Sequence, residues 1–247
     1  MSKRVIELPP LGAPVDELWN VLLDLGAMSI EWTLIGGQMV LLHALEHGQV
    51  PPQVSEDGDV VADIRADQAS LRAVVRALTE RGFDLLTITT DGRAHRYIRP
   101  AEPKPIVVDV LAPDGLGPRA SLTTTPPGRT VEVPGGTQAL DRTELVEVHH
   151  GGRTGVVPLP SLHAAIVLKA AACTLPGDPA RHERDLALLI SLVADPFELR
   201  ASMTASDRRR IRAVGGLSER THPAWRLVPS SIRAAGLASF EVLTTRG

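Results

Sequence analysis

Residues 32–47, WTLIGGQMVLLHALEH, pass from a four-residue apolar run into a helix-period run with only Gly36-Gly37 between them. A strand that feeds a helix through two glycines must bury both elements against a common core, which points to layered α/β packing. Residues 15–28 (VDELWNVLLDLGAM) precede this unit as a helix, with Asp16 and Glu17 at the positive end of its dipole. The helix after the glycines is expected over 38–47, followed by a loop at 48–54 and an acidic, then β-rich, run at 55–64. Next come a helix over 67–81, with Asp67 as N-cap and Gly82 as its stop, and strands at 83–89, 94–98 and 105–111. Residues 113–136 are rich in Pro, Gly and Thr and read as loop with one short strand. Residues 144–149 and 153–158 pair as a hairpin across His150-Gly151-Gly152.

Beyond Pro160 the pattern turns helical: 161–174 with Ser161 as cap, 180–194, 204–214 with Thr204 as cap, and a weakly helical tail at 228–243. The expected architecture is α/β (α+β). A mixed central sheet occupies 1–112, a loop and β-hairpin connection 113–158, and a helical C-terminal region 159–247.

Aromatic residues are only 3% of the chain against 43% hydrophobic residues, so the core is expected to be aliphatic. The net charge of −3 argues against a general nucleic-acid coat protein and leaves room for a local basic patch. A single cysteine, Cys173, excludes an internal disulfide and suits a reducing cytoplasm. The N-terminal MSKRVIELPP has no apolar run of the signal-peptide kind. Nothing approaches the roughly 18 uninterrupted apolar residues of a membrane span.

Three carboxylates stand out. Asp57 and Asp59 alternate at the start of a β-rich run, so both point to one face of a strand. Like charges so placed repel unless a cation joins them. Asp109 lies inside the apolar strand IVVDVL, where an unpaired charge is expensive. Magnesium favours a few carboxylates together with substrate phosphates. Gly36-Gly37, opening a helix, lets backbone N–H groups approach an anion such as a triphosphate.

In this order the motifs resemble the nucleotidyltransferase superfamily of the DNA polymerase β type: Ile35-Gly36-Gly37, then Asp57-Gly58-Asp59, then Asp109. Lys169 in SLHAAIVLKAAA and Arg184-Asp185 in HERDLALLISL are similar to the Lys and Lys/Arg-Asp helices of the AbiEii-like branch, which includes type IV toxins and their actinobacterial relatives. The likeness spans about residues 30–195. It implies a nucleotidyltransferase fold, with Mg²⁺ on Asp57, Asp59 and Asp109 and a nucleotide pocket lined by Gly36, Gly37, Lys169 and Asp185. It also implies transfer of an NMP from an NTP to a tRNA end or a protein, with an antitoxin as partner in a toxin–antitoxin system. Two departures from the family are the length of the Gly37–Asp57 gap, with Pro51-Pro52 inside it, and Gly58 in place of an apolar residue. Two other functions stay open: a small-molecule (antibiotic) adenylyltransferase, and a catalytically degenerate binding or regulatory module.

Other residues have plainer readings beside functional ones. Lys169 and Asp185 could form a purely structural pair. His43 and His47 share a helix face, but Glu46 stands before the second histidine rather than after the first, so a zinc-protease site is not expected. Gly36-Gly37-Gln38 spells the release-factor tripeptide, yet lies between apolar runs rather than on an exposed loop. Arg208, Arg209, Arg210 and Arg212 form either a solvated face or an RNA-contacting patch. Arg96 and Arg99, beside strand 94–98, are placed to reach a nucleotide, and Cys173 reads as a small core residue.

Overall fold

The protein is described by a computed structural model covering residues 4–118 and 120–245; Met1–Lys3 of the N-terminal segment lie outside the described residues. It is a mixed α/β chain with two mixed sheets. It divides into two compact units, Met1–Met39 with Val54–Pro160 and Val40–Gln53 with Ser161–Gly247. No described helix is long and apolar enough to cross a membrane.

The first unit runs β1 (Val5–Glu7), α1 (Val15–Gly26), β2 (Trp32–Ile35), the start of α2 (Gly36–Glu46), β3 (Asp57–Ala62), α3 (Ser70–Thr79), β4 (Asp84–Leu85), β5 (Arg96–Arg99), β6 (Ile106–Pro113), β7 (Glu132–Val133), α4 (Gly136–Asp141), β8 (Thr143–His150) and β9 (Arg153–Pro160). The larger sheet has the order β2-β3-β6-β5-β4, with β7 on the end of β6. Its centre is a parallel pair, β3 beside β6, flanked by antiparallel β2 and β5. Helices α1 and α3 pack on it, and the core is anchored by fully buried Leu18, Trp19, Leu22, Phe83 and Tyr97. The few aromatic residues of this unit are thus core anchors within an otherwise aliphatic interior.

Several local expectations change. Helix α2 begins at Gly36, two residues early, so strand and helix meet with no linker. Asp67 does not cap α3: the N-cap position is Ala69, and the Asp67 carboxylate instead accepts the Ala69 N–H at 2.8 Å, in a turn before the helix. The strand expected over 83–89 shrinks to Asp84–Leu85, because Leu86 and Ile88 face solvent and the chain turns at Thr89–Arg93.

A smaller sheet, β1-β8-β9, carries a parallel β1 that periodicity could not reveal in three residues. Its register sets Glu7 beside His149. The His149 ring reaches Glu7 Oε1 at 2.7 Å and Glu147 Oε1 at 3.0 Å, and these carboxylates, Glu147 first, raise the imidazole above its ordinary range. A raised folded-state value means the contribution is complete below the unfolded value of about 6.5 and is lost as pH rises through the higher folded one. Amide exchange at Val5–Leu8, corrected for intrinsic rates, is expected to show weakening protection from pH 6 to pH 8.5 in the native protein. In His149→Gln the protection should be pH-independent, and a flat profile in both proteins would contradict the assignment.

The second unit contains the later part of α2, then α5 (Leu162–Ala172), α6 (Pro179–Ser191), α7 (Pro196–Ser202), α8 (Ala205–Ala213), a 3₁₀ turn (Gly215–Ser218), α9 (Pro223–Leu227) and α10 (Ser230–Thr244). Caps define the starts: Ser161 for α5, Asp178 before Pro179, Asp195 before Pro196, and a Thr204/Asp207 capping box for α8. Fully buried Trp225 donates its indole N–H to the Leu217 carbonyl at 2.9 Å and meets Phe240 edge-on. Helix α10 packs against α6, α7 and α8, and that packing turns the weakly helical tail into a 15-residue helix.

Candidate active site

In the parallel β3/β6 register Asp59 stands opposite Asp109 and Asp57 opposite Val107. Cross-strand partners, and residues two apart, share a face, so Asp57, Asp59 and Asp109 lie on one face of the sheet, with the Asp59 and Asp109 backbones one strand spacing of about 4.8 Å apart and Asp57 about 6.6 Å along β3 from Asp59. Gly58 and Val60 point the other way. A Cβ at Gly58 would sit 2.9 Å from Leu18 Cδ1, so helix α1 occupies the space an apolar side chain would fill there.

The glycine turn comes to the same place. Antiparallel pairing sets Ile35 opposite Asp59, and the chain leaves β2 through Gly36 at φ +70°. A Cβ on Gly36 would lie 1.8 Å from Asp59 Oδ2. Gly36 is therefore required twice, by its left-handed backbone and by the carboxylate against it. The start of α2 is pinned by fully buried Gln38, which accepts from Trp19 Nε1 at 3.0 Å and donates to the Ser55 carbonyl at 2.6 Å. This ties the helix N-terminus to the loop that delivers Asp57, and it removes Gln38 from the exposed setting that a release-factor role needs. The spacing from Gly37 to Asp57 is taken up by α2 and by Val40–Gln53, which clusters with the second unit.

Arg96 completes the constellation. It pairs with Asp109 across β5 and β6, and its guanidinium grips that carboxylate bidentately, Nε to Oδ1 at 2.9 Å and Nη2 to Oδ2 at 2.7 Å. Asp109 is only 7% exposed, so this bond supplies the partner that its burial demands. The Asp109 hydrogen bond first, and the fields of Asp57 and Asp59 after it, hold the Arg96 guanidinium in its charged form. Arg99 does not join the site: it lies on the opposite face, over the Phe83 ring at 5.1 Å and paired with Glu17 at 2.8 Å.

Among the described residues, no set of three His, Cys, Asp or Glu side chains is arranged to hold one ion. Asp57 and Asp59, beside a glycine cradle, have the chemistry to take a hard divalent cation with phosphate oxygens. Asp109 could join them on release from Arg96. Arg96→Met is accordingly expected to lower stability in EDTA by about 1–3 kcal/mol, from the stranded carboxylate. Mg²⁺ should then restore more of the melting temperature in the variant than in the native protein, as read by thermal melts. Equal Mg²⁺ responses would show that Asp109 is not a latent ligand.

Lys169 and Asp185 come together within the second unit, on α5 and α6, with Lys169 Nζ 2.6 Å from Asp185 Oδ2. Lys169 is 4% exposed, so the pair satisfies a buried ammonium whatever else it does. Cys173 is half-buried at the end of α5 rather than a full core residue, and burial, reinforced by the Glu183 carboxylate, pushes its thiol up to about 12. His43 is fully buried, and the His47 ring turns back to the His43 carbonyl at 2.8 Å, which leaves no shared zinc face. Arg208 and Arg212 line a cleft with α7, while Arg209 bonds Ser206 on its own helix.

No family model matches this chain, and no curated protein matches it either.

Proposed function

We propose that this chain is a Mg²⁺-dependent nucleotidyltransferase that moves an NMP from an NTP to an acceptor hydroxyl on a tRNA end or a protein. The supporting observation is the convergence of Asp57, Asp59, Asp109 and Gly36 on one sheet face, from segments far apart in sequence. Magnesium would supply charge neutralisation for the phosphates and the departing pyrophosphate. Asp57 and Asp59 would hold it. Backbone N–H groups at the Gly36-Gly37 start of α2 would bind the phosphate tail. The acceptor oxygen attacks the α-phosphorus in line, its proton passes to Asp109, and the bond to the pyrophosphate oxygen breaks. For Asp109 to take that proton, Arg96 must turn away, and its guanidinium is then available to a phosphate oxygen.

A second reading is favoured by the same Arg96–Asp109 pair. A protein that neutralises its own third carboxylate can be a catalytically degenerate nucleotide-binding module. The two are separated by incubating the native chain and Asp57→Ala/Asp59→Ala with each α-³²P-labelled NTP, Mg²⁺ and either total tRNA, total protein or small aminoglycoside acceptors. Label that appears in one acceptor and is abolished in the double variant supports the transferase, and the acceptor names its class. Mg²⁺-dependent retention of NTP without transfer supports the module. Neither retention nor transfer removes both.

A further inference from the structure

The second unit carries a cleft of about 480 Å³ between α7 and α8, lined by Phe197, Arg200, Ala201, Ala205, Arg208 and Arg212. Phe197, Arg200 and Ala201 fall at i, i+3 and i+4 on α7, and Arg208 and Arg212 one turn apart on α8, so each helix turns one face into it. Ala201 and Ala205 complete the lining with small side chains. In a chain of net charge −3 this is a local concentration of positive charge.

None of Arg200, Arg208 and Arg212 is ion-paired with a carboxylate among the described residues. Arg200 gives one Nη2 bond to the Thr245 carbonyl and Arg208 one Nη1 bond to the Met203 carbonyl, which fix the two stems while leaving further donors. The Arg200 Nε is buried without a hydrogen-bond partner. Asp207, the acid on α8, is buried and committed to its capping box and to His163 at 3.4 Å. Three guanidiniums held around one small space repel one another, and an anion relieves that repulsion.

The aromatic ring narrows the choice of anion. Phe197 is 69% exposed, at the cleft rather than in a core. The backbone that carries it is fixed, because the Asp195 carboxylate accepts the N–H groups of Phe197 and Glu198 at 2.9 and 3.0 Å, and Pro196 sets the first turn. Such a ring gives planar partners the best fit. A nucleobase stacks on it while its phosphates meet the arginines. Bases inside a duplex are already stacked and cannot reach the ring, so a nucleic-acid ligand here is single-stranded. We infer that the α7–α8 cleft binds single-stranded nucleic acid, with Phe197 as the stacking platform and Arg200, Arg208 and Arg212 as the phosphate contacts. This inference does not depend on the carboxylate site.

The test is fluorescence anisotropy of the full chain with labelled oligo-uridylate, oligo-thymidylate and a duplex, each roughly eight nucleotides long. Native protein should bind one or both single strands and bind the duplex at least tenfold more weakly; preference between the single strands assigns the sugar. Phe197→Ala should weaken binding by about tenfold. Arg212→Gln should reduce the slope of log affinity against log salt by about 0.7. Both side chains are exposed, so folding should survive, as melting curves would verify. Asp57→Asn/Asp59→Asn should bind like native protein, which separates this site from the proposed catalytic one. Absence of binding overturns the inference. So does binding that ignores Phe197→Ala, treats duplex as single strand, or is displaced equally by polyglutamate, since each marks a generic polyanion surface.

Discussion

Asp59→Asn is expected to reduce nucleotide transfer by roughly a hundred- to a thousandfold, the scale of losing one charged group from a preorganised phosphoryl-transfer site. Thermal stability should be retained. The substitution keeps the side chain's shape, and Asp59 is only partly buried, at the edge of the Gly36 turn. A residue that served only to hold the sheet together would behave the other way, with loss of stability and activity in parallel. Asp59 is the most informative of the three carboxylates because it is central: Ile35 flanks it on one strand, Asp109 on the other, and the glycine turn lies against its carboxylate. Steady-state transfer rates, read beside melting curves on the same preparations, test this. Activity within threefold of native would remove Asp59 from the catalytic role.

Gly36→Ala is expected to be among the most damaging small substitutions in the first unit. Placing an L-residue at φ +70° costs about 1–2 kcal/mol by itself. Beyond that, the new methyl carbon would stand 1.8 Å from Asp59 Oδ2, so the carboxylate or the β2–α2 junction must move. The combined destabilisation should reach about 3 kcal/mol in urea melts. The two causes separate in a double-mutant cycle. In an Asp59→Gly background the clash disappears and the backbone strain remains, so Gly36→Ala should be milder there by at least about 1 kcal/mol. Additivity would show that Asp59 does not press on the turn as described.

Much of this site could be read from local pattern. Glycine between an apolar run and a helix, an alternating aspartate pair and one aspartate in an apolar strand are all features of short windows of sequence. Arg96 as the partner of Asp109 could not be read the same way. Their pairing depends on the β5/β6 register, set by contacts outside both segments, and so does the fate of Arg99, which alternation sends to the opposite face. The exposed Leu86 and Ile88 misled for a related reason: an apolar run says nothing about whether anything covers it. Helix α7 had a legible signal that periodicity alone overlooks, the Asp195-Pro196 start, and α6 begins in the same manner at Asp178-Pro179. The tail helix α10 had only weak propensity, and packing against three other helices decides it.

Whether Asp57 and Asp59 form a divalent-cation site for a nucleoside triphosphate can be tested without knowing the acceptor. Calorimetric titration of the native chain and Asp57→Asn/Asp59→Asn with each of the four NTPs, as analogues that cannot be cleaved between the α- and β-phosphates, should be run in Mg²⁺ and in EDTA. At least one analogue should bind the native chain at least tenfold more tightly in Mg²⁺ than in EDTA, and the double variant should lose that difference. Absence of binding by all four, or affinity indifferent to both Mg²⁺ and the double substitution, would remove the cation site and leave the carboxylates as structural neighbours of Arg96.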